Sequence, residues 1–300
     1  AEGAPHVESN DARPDASCPG VAGVRLLARA LTQGVMRQLS VIFPELLCRQ
    51  GRYLKLRQRA AAALAARGSP ALDGRTSGSK AAGTSGLAEA AWLLARDPSP
   101  PEGAWESFEE KAFRGCANLR GDEIARLLHA FTVARRNPWR LMKKLSDEIP
   151  DKLPQMDAAM LCVCLHAYAQ LRSRRGRLFA VVTRRALALE KEAQLQPEHL
   201  ASLLFSHVKV LLSDRALTKV SQRRLLDEAN QISTDDLATM LQALATFREA
   251  DPSMAEACAR VAIERVSRSP LPALCDILVA LERLGEPSGA LRRGLAVRCS

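Results

Sequence analysis

Aromatic residues are scarce in this chain. Seven Phe, three Trp and two Tyr make up 4% of its 300 residues. Extended sheet cores draw on aromatic and β-branched side chains, so this scarcity, beside abundant Ala, Leu and Arg, argues for helix and against sheet. Long apolar runs are missing as well. No stretch of about 18 residues is apolar and free of charge, so no transmembrane helix is expected. The eight cysteines (Cys18, Cys48, Cys116, Cys162, Cys164, Cys258, Cys275 and Cys299) lack the dense, regular ladder of a small secreted fold. Several sit inside apolar helical patterns, where a free thiol behaves as a small hydrophobe. No glycine-rich phosphate loop occurs. Acidic residues are outnumbered, 33 to 43, which leaves a formal charge of +10 and a pI near 9.5. That excess favours a polyanionic partner such as nucleic acid or an anionic membrane surface, with a merely solvated surface as the plain alternative.

Composition shifts along the chain divide it. Residues 1–20 are polar, with Pro, Gly, Asn and Asp, and read as disordered. Residues 21–68 are rich in Arg and Ala, and Glu45 is their only acid. This segment reads equally as an organellar transit sequence and as a basic helical arm lying on a phosphate backbone. Residues 69–86 are rich in Gly, Ser and Thr and read as a flexible linker. Residues 87–300 then alternate apolar helical patterns with short polar breaks.

Two stretches of this last segment nearly repeat each other: LLHAF at Leu127–Phe131 and CLHAY at Cys164–Tyr168. Stepping forward from Ala130 finds Ala167, Ser206, Ala243 and Ala280, at intervals of 37, 39, 37 and 37 residues. Two residues earlier every unit has Leu: Leu128, Leu165, Leu204, Leu241 and Leu278. Six earlier stand Ile124, Leu161, Leu200, Leu237 and Leu274, and five earlier the small residues Ala125, Cys162, Ala201, Ala238 and Cys275. One later stand Phe131, Tyr168, His207, Leu244 and Leu281. Periods of this length mark arrays of helical hairpins. The expected fold is therefore all-α: a right-handed α-solenoid of helix-turn-helix repeats of about 37 residues. Each unit has a start signal before its apolar run, at Asp122, Asp157, Gln196-Pro197, Ser233 and Pro270.

At about 100° per residue, the Leu, aliphatic and aromatic columns share one arc of the first helix of each unit, helix A. Three columns fall on the remaining face: Arg126 to Asp276, His129 to Val279, and Val133 to Arg283. Their chemistry varies from unit to unit while the core columns do not. Basic clusters fall at the turns between helix A and helix B and again on the B helices, at Arg140, Lys143, Lys144, Arg184, Arg185, Lys219, Arg223 and Arg224. Cys162, Cys164 and His166 do not share a helical face, and no second Cys/His pair follows at zinc-like spacing, so packing is preferred to a metal site. His129 and His166 have no neighbouring nucleophile or carboxylate in a catalytic pattern. The expectation is a non-enzyme without cofactor or metal.

The segments RLLHAFTVARR, CLHAYAQLRSR and MLQALATFREA carry a resemblance. The chain from about Leu87 to Ser300, best from Gly121 onward, resembles the octotricopeptide and heptatricopeptide repeat proteins of organelles, relatives of the FAST-kinase-like, RAP-domain-bearing proteins. No segment reads as a C-terminal RAP domain. The resemblance implies a mitochondrion or plastid and RNA as partner. On that basis phosphate contacts are expected from the turn arginines Arg135, Arg136, Arg172, Arg174, Arg175 and Arg177. Base or surface contacts are expected from Arg126, His129, His166, Gln170, Phe205, Lys209 and Gln242, since RNA sequence is read by stacking and edge hydrogen bonds. The leading expectation is a subunit of a mitochondrial ribonucleoprotein, above all the mitochondrial ribosome, touching rRNA. The alternative is a protein-binding scaffold or assembly subunit of a non-ribosomal organellar complex.

Overall fold

The computed structural model describes residues 82–249, 251–286 and 288–299. The expected disordered N-terminus, the basic arm and residues 69–81 of the linker lie outside the described residues. The first helix begins at Ala82, inside the segment read as linker.

Among the described residues there are twelve α-helices and no strand. They are α1 (Ala82–Arg96), α2 (Ala104–Gly115), α3 (Gly121–Ala134), α4 (Trp139–Lys152), α5 (Ala158–Gln170), α6 (Gly176–Lys191), α7 (Pro197–Val210), α8 (Arg215–Glu228), α9 (Thr234–Phe247), α10 (Pro252–Glu264), α11 (Leu271–Arg283) and α12 (Gly289–Cys299). Each odd-numbered helix, an A helix, packs on the next odd one from α1 to α11. Even-numbered B helices pack α2 on α4, α4 on α6, α8 on α10 and α10 on α12. Helical hairpins thus stack side by side, with one layer of A helices and one of B helices.

Local chemistry starts and stops the A helices in a common way. Their N-caps from α3 to α11 are Arg120, Asp157, Gln196, Ser233 and Pro270. The Asp157 carboxylate accepts from the Met160 amide at 2.9 Å, and the Ser233 hydroxyl accepts from the Asp236 amide at 3.2 Å. The start expected at Asp122 shifts to Arg120, because Glu123 reaches back to accept from the Arg120 amide at 2.8 Å and closes a capping box.

The stop is more regular still. Arg135, Arg172, Leu211, Arg248 and Gly285 follow the A helices at one shared position, and all five have left-handed backbone, with φ of 54°, 54°, 53°, 55° and 82°. The next amide in each case donates to the carbonyl five residues back: Arg136 to Phe131, Ser173 to Tyr168, Leu212 to His207, Glu249 to Leu244 and Glu286 to Leu281, at 2.8–3.1 Å. This is the Schellman stop, and it normally falls on glycine because a side chain there costs about 1 kcal/mol or more. Only Gly285 meets that preference without cost.

The core follows the expected columns. Leu128, Leu165, Leu204 and Leu241 are fully buried, as are Ile124, Leu161, Leu200, Leu237 and Leu274. Leu278, on the last A helix, is only partly covered. The fifth column reaches toward the B layer. Phe131 lies against Trp105 and Phe108, with ring centroids 5.6 and 6.1 Å away. The Tyr168 hydroxyl donates to the Met142 carbonyl of α4 at 2.8 Å. His207 keeps the flat ring of Phe131 and Tyr168 but is polar. Its Nδ1 donates to the Leu212 carbonyl at 2.7 Å, and its Nε2 accepts from the Thr183 hydroxyl at 2.8 Å. Its ring edge meets Phe179 at 5.2 Å. Every polar atom of a buried imidazole is thereby satisfied.

Candidate nucleic-acid interface

Two surfaces were expected to meet RNA: the outer face of the A helices and the edge made by the A–B turns. On the face, rings of neighbouring A helices meet in two pairs. Trp92 of α1 lies against the His129 ring of α3, with centroids 5.5 Å apart and planes within 21°. His166 of α5 and Phe205 of α7 follow, tilted at 6.2 Å. One residue per A helix contributes, each at the same register. Side chains one turn further along brace three of the rings. Arg96 lies over Trp92 at 5.9 Å, Gln170 Nε2 is 3.4 Å from His166 Nε2, and Lys209 Nζ lies over Phe205 at 5.6 Å.

His129, expected as a base or surface contact, is 8% exposed and packed against Trp92. The column beginning at Arg126 was assigned to an open face, yet Val163 and Asp276 in it are buried and Arg126 is half-buried. That column follows the seam between neighbouring A helices. His166, Gln170, Phe205 and Gln242 are half-buried, and Lys209 is exposed. Sequence reading missed Trp92. It stands 37 residues before His129, so stepping the register backward as well as forward finds it.

At the turns the arginines divide into two kinds. Arg136 donates to Glu106 at 2.7 Å and to Glu109 at 3.3 Å, and lies 5.6 Å over the Trp105 ring. Glu106, itself largely exposed, is held below the usual carboxylate range by its hydrogen bond to Arg136. Arg136, one of the expected phosphate contacts, therefore also braces neighbouring hairpins. Arg174 is exposed and donates to the Leu211 carbonyl at 3.4 Å; Arg175 is half-buried at the start of α6, and Arg177 is exposed beside it. Arg135 and Arg172 are exposed and hold the left-handed positions. Arg248 shares that position and exposure and was not singled out by sequence.

Several B-helix cations are also committed within the fold. Lys144 Nζ donates to the Phe113 carbonyl at 2.9 Å while lying 4.6 Å over the Phe113 ring, which Arg140 also covers at 5.1 Å. Arg224 binds Glu190 at 2.9 Å and Glu228 at 2.6 Å, and reaches the Leu195 carbonyl. Arg265 donates to the Ala229, Asn230 and Ile232 carbonyls, and Arg298 to those of Val266 and Ser269. Lys144 places positive charge on a carbonyl in the last turn of α2, and Arg265 and Arg298 on carbonyls just beyond the ends of α8 and α10, where unpaired acceptors and the helix dipole both favour a cation. Part of the basic excess is thus structural. Lys143, Arg184, Lys219 and Arg223 remain exposed.

Burial pushes the Cys162 and Cys164 thiols up to about 12, so both stay protonated near neutral pH and act as packing groups. Cys162 Sγ contacts the His199 carbonyl of the adjacent A helix at 3.5 Å. Among the described residues, no group of three or more His, Cys, Asp or Glu could hold a metal ion, and no helix is long and apolar enough to cross a membrane.

A family model described as RNA-editing substrate-binding complex 6 protein matches residues 142–300, more than half of the chain. The match runs from within α4 to the end of the chain. It names a different family from the octotricopeptide and heptatricopeptide group. No curated protein matches the chain.

Proposed function

We infer the role of this protein from one premise: the chain belongs to the RNA-editing substrate-binding complex 6 protein family. It acts as a non-enzymatic subunit of an organellar RNA-handling complex, in the mitochondrion rather than the plastid, with RNA and other subunits as its partners. The family match carries this reading. The stacked hairpins support it, because arrays of this kind present long surfaces that suit extended partners. We read them as a right-handed α-solenoid with a period of about 37 residues. The recurrent caps and left-handed stops support that period.

The ribosomal assignment gives way to the alternative, a subunit of a non-ribosomal complex, because the matching family is described by an RNA-editing substrate-binding complex. The A-helix face, with four of its rings already paired across neighbouring helices, serves to hold neighbouring hairpins and to meet a partner protein. The turn edge is left to RNA. Sedimentation of the native complex before and after ribonuclease tests the reading. The protein should migrate apart from both ribosomal subunits and shift to smaller particles when RNA is digested. Co-migration with a ribosomal subunit under both conditions would contradict it.

A further inference from the structure

The left-handed stop asks for glycine, and only one of its five positions has it. Three of the other four carry arginine: Arg135, Arg172 and Arg248. These three are exposed, and no described residue pairs with their guanidinium groups, whereas Arg136, Arg224, Arg265 and Arg298 all have partners. The fold therefore keeps an ill-suited residue where it gains no contact from it. Backbone strain retained without a local return points to a use outside the fold.

We propose that Arg135, Arg172 and Arg248 form a phosphate rail for single-stranded RNA, with one guanidinium presented from each of three A–B turns. The proposal rests on the reading of the protein as an RNA-binding subunit and names its site. Several features favour this ligand. The guanidinium fork matches phosphate oxygens bidentately. A polyanion with phosphates at short, regular intervals can engage successive turns of a stacked array, which scattered carboxylates on a folded protein rarely do. The rigid stop fixes where each side chain leaves the backbone, so less freedom is lost on binding. Arg177 and Arg174 lie exposed beside the second turn and extend the positive edge. The row has one gap: Leu211, 69% exposed, stands at the same position of the third turn.

The gap supplies a test in both directions. The full chain, its R135G/R172G/R248G variant and its L211R variant are titrated with fluorescein-labelled oligouridine across a salt series. Loss of three contacts should flatten the slope of log affinity against log salt by about 2, at roughly 0.7 per phosphate on single strands. L211R should steepen it by about 0.7. The glycine variant should also melt higher, by about 2–4 °C per site, because the strain is relieved. A triple lysine variant should keep the original slope. Should the glycine variant fold poorly, L211R and the lysine variant decide. An unchanged slope in both the glycine and L211R variants overturns the rail and leaves the RNA-binding reading standing. Failure of the unaltered chain to bind oligouridine at low salt overturns the reading and the rail together.

Discussion

Replacing His207 by Phe puts an apolar ring, as at Phe131, where the polar exception stands, and the structure sets the expected cost. His207 is 2% exposed and joined to the Thr183 hydroxyl and the Leu212 carbonyl. A Phe ring fills much of the same space but leaves both partners without it. A buried polar group left unsatisfied costs about 1–3 kcal/mol. The Leu212 carbonyl lies at the turn after α7, where water offers some relief, so the lower half of that range is expected. The substitution also changes the dependence on pH. Burial pushes the His207 pKa below its ordinary value, against the opposing pull of the Leu212 hydrogen bond and Asp214. The neutral imidazole is thus the folded form. Above about pH 6.5 both states are neutral and its stabilising interactions are fully present. As pH falls below 6.5 the unfolded chain takes up a proton that the folded chain resists, so stability declines until the folded pKa is passed. The slope cannot exceed about 1.4 kcal/mol per pH unit for one histidine. His199, also lowered by burial, adds a decline of the same sign. Chemical denaturation at intervals between pH 7.5 and 5.5 should show a decline in the unaltered chain, a smaller one in H207F and the smallest in H199Q/H207F. Equal slopes in all three would refute the assignment of His207 as a buried neutral base.

Other perturbations separate core from edge. Leu204→Ala removes fully buried carbons between neighbouring A helices and should cost about 2–5 kcal/mol, while Leu278→Ala on the half-covered last A helix should cost less than half as much. Equal shifts in denaturation midpoint would show the register to be wrong. Arg265→Gln removes the cation that caps α8 from α10 and should lower stability by about 1–2 kcal/mol without changing the salt slope of RNA binding. A change in that slope would place Arg265 at the RNA surface.

Much of this architecture is legible in the sequence because buried positions repeat. A packed A helix must bury the same arc in every hairpin, so Leu128 and its counterparts stand out as a column. What a side chain meets across a junction is less legible. His129 and Phe205 share a column, yet only the fold shows that Trp92 covers the first. Arg135 and Arg136 are adjacent and chemically identical. One stands exposed, while the other is neutralised by Glu106 and Glu109, some 27 to 30 residues away. The left-handed stop is invisible by another route, because four of its five positions lack the glycine that would announce it. Aligning the five turns by register would have brought Arg248 into the row with Arg135 and Arg172.

The central claim, a subunit that holds RNA within a non-ribosomal complex, meets its most direct test in ultraviolet crosslinking of the native protein, followed by sequencing of the attached RNA and identification of the proteins recovered with it. The expected result is organellar RNA other than rRNA, with crosslinked peptides from the A–B turns, and partner proteins that are not ribosomal. Recovery of rRNA together with ribosomal proteins, or of partner proteins with no crosslinked RNA at all, would contradict it.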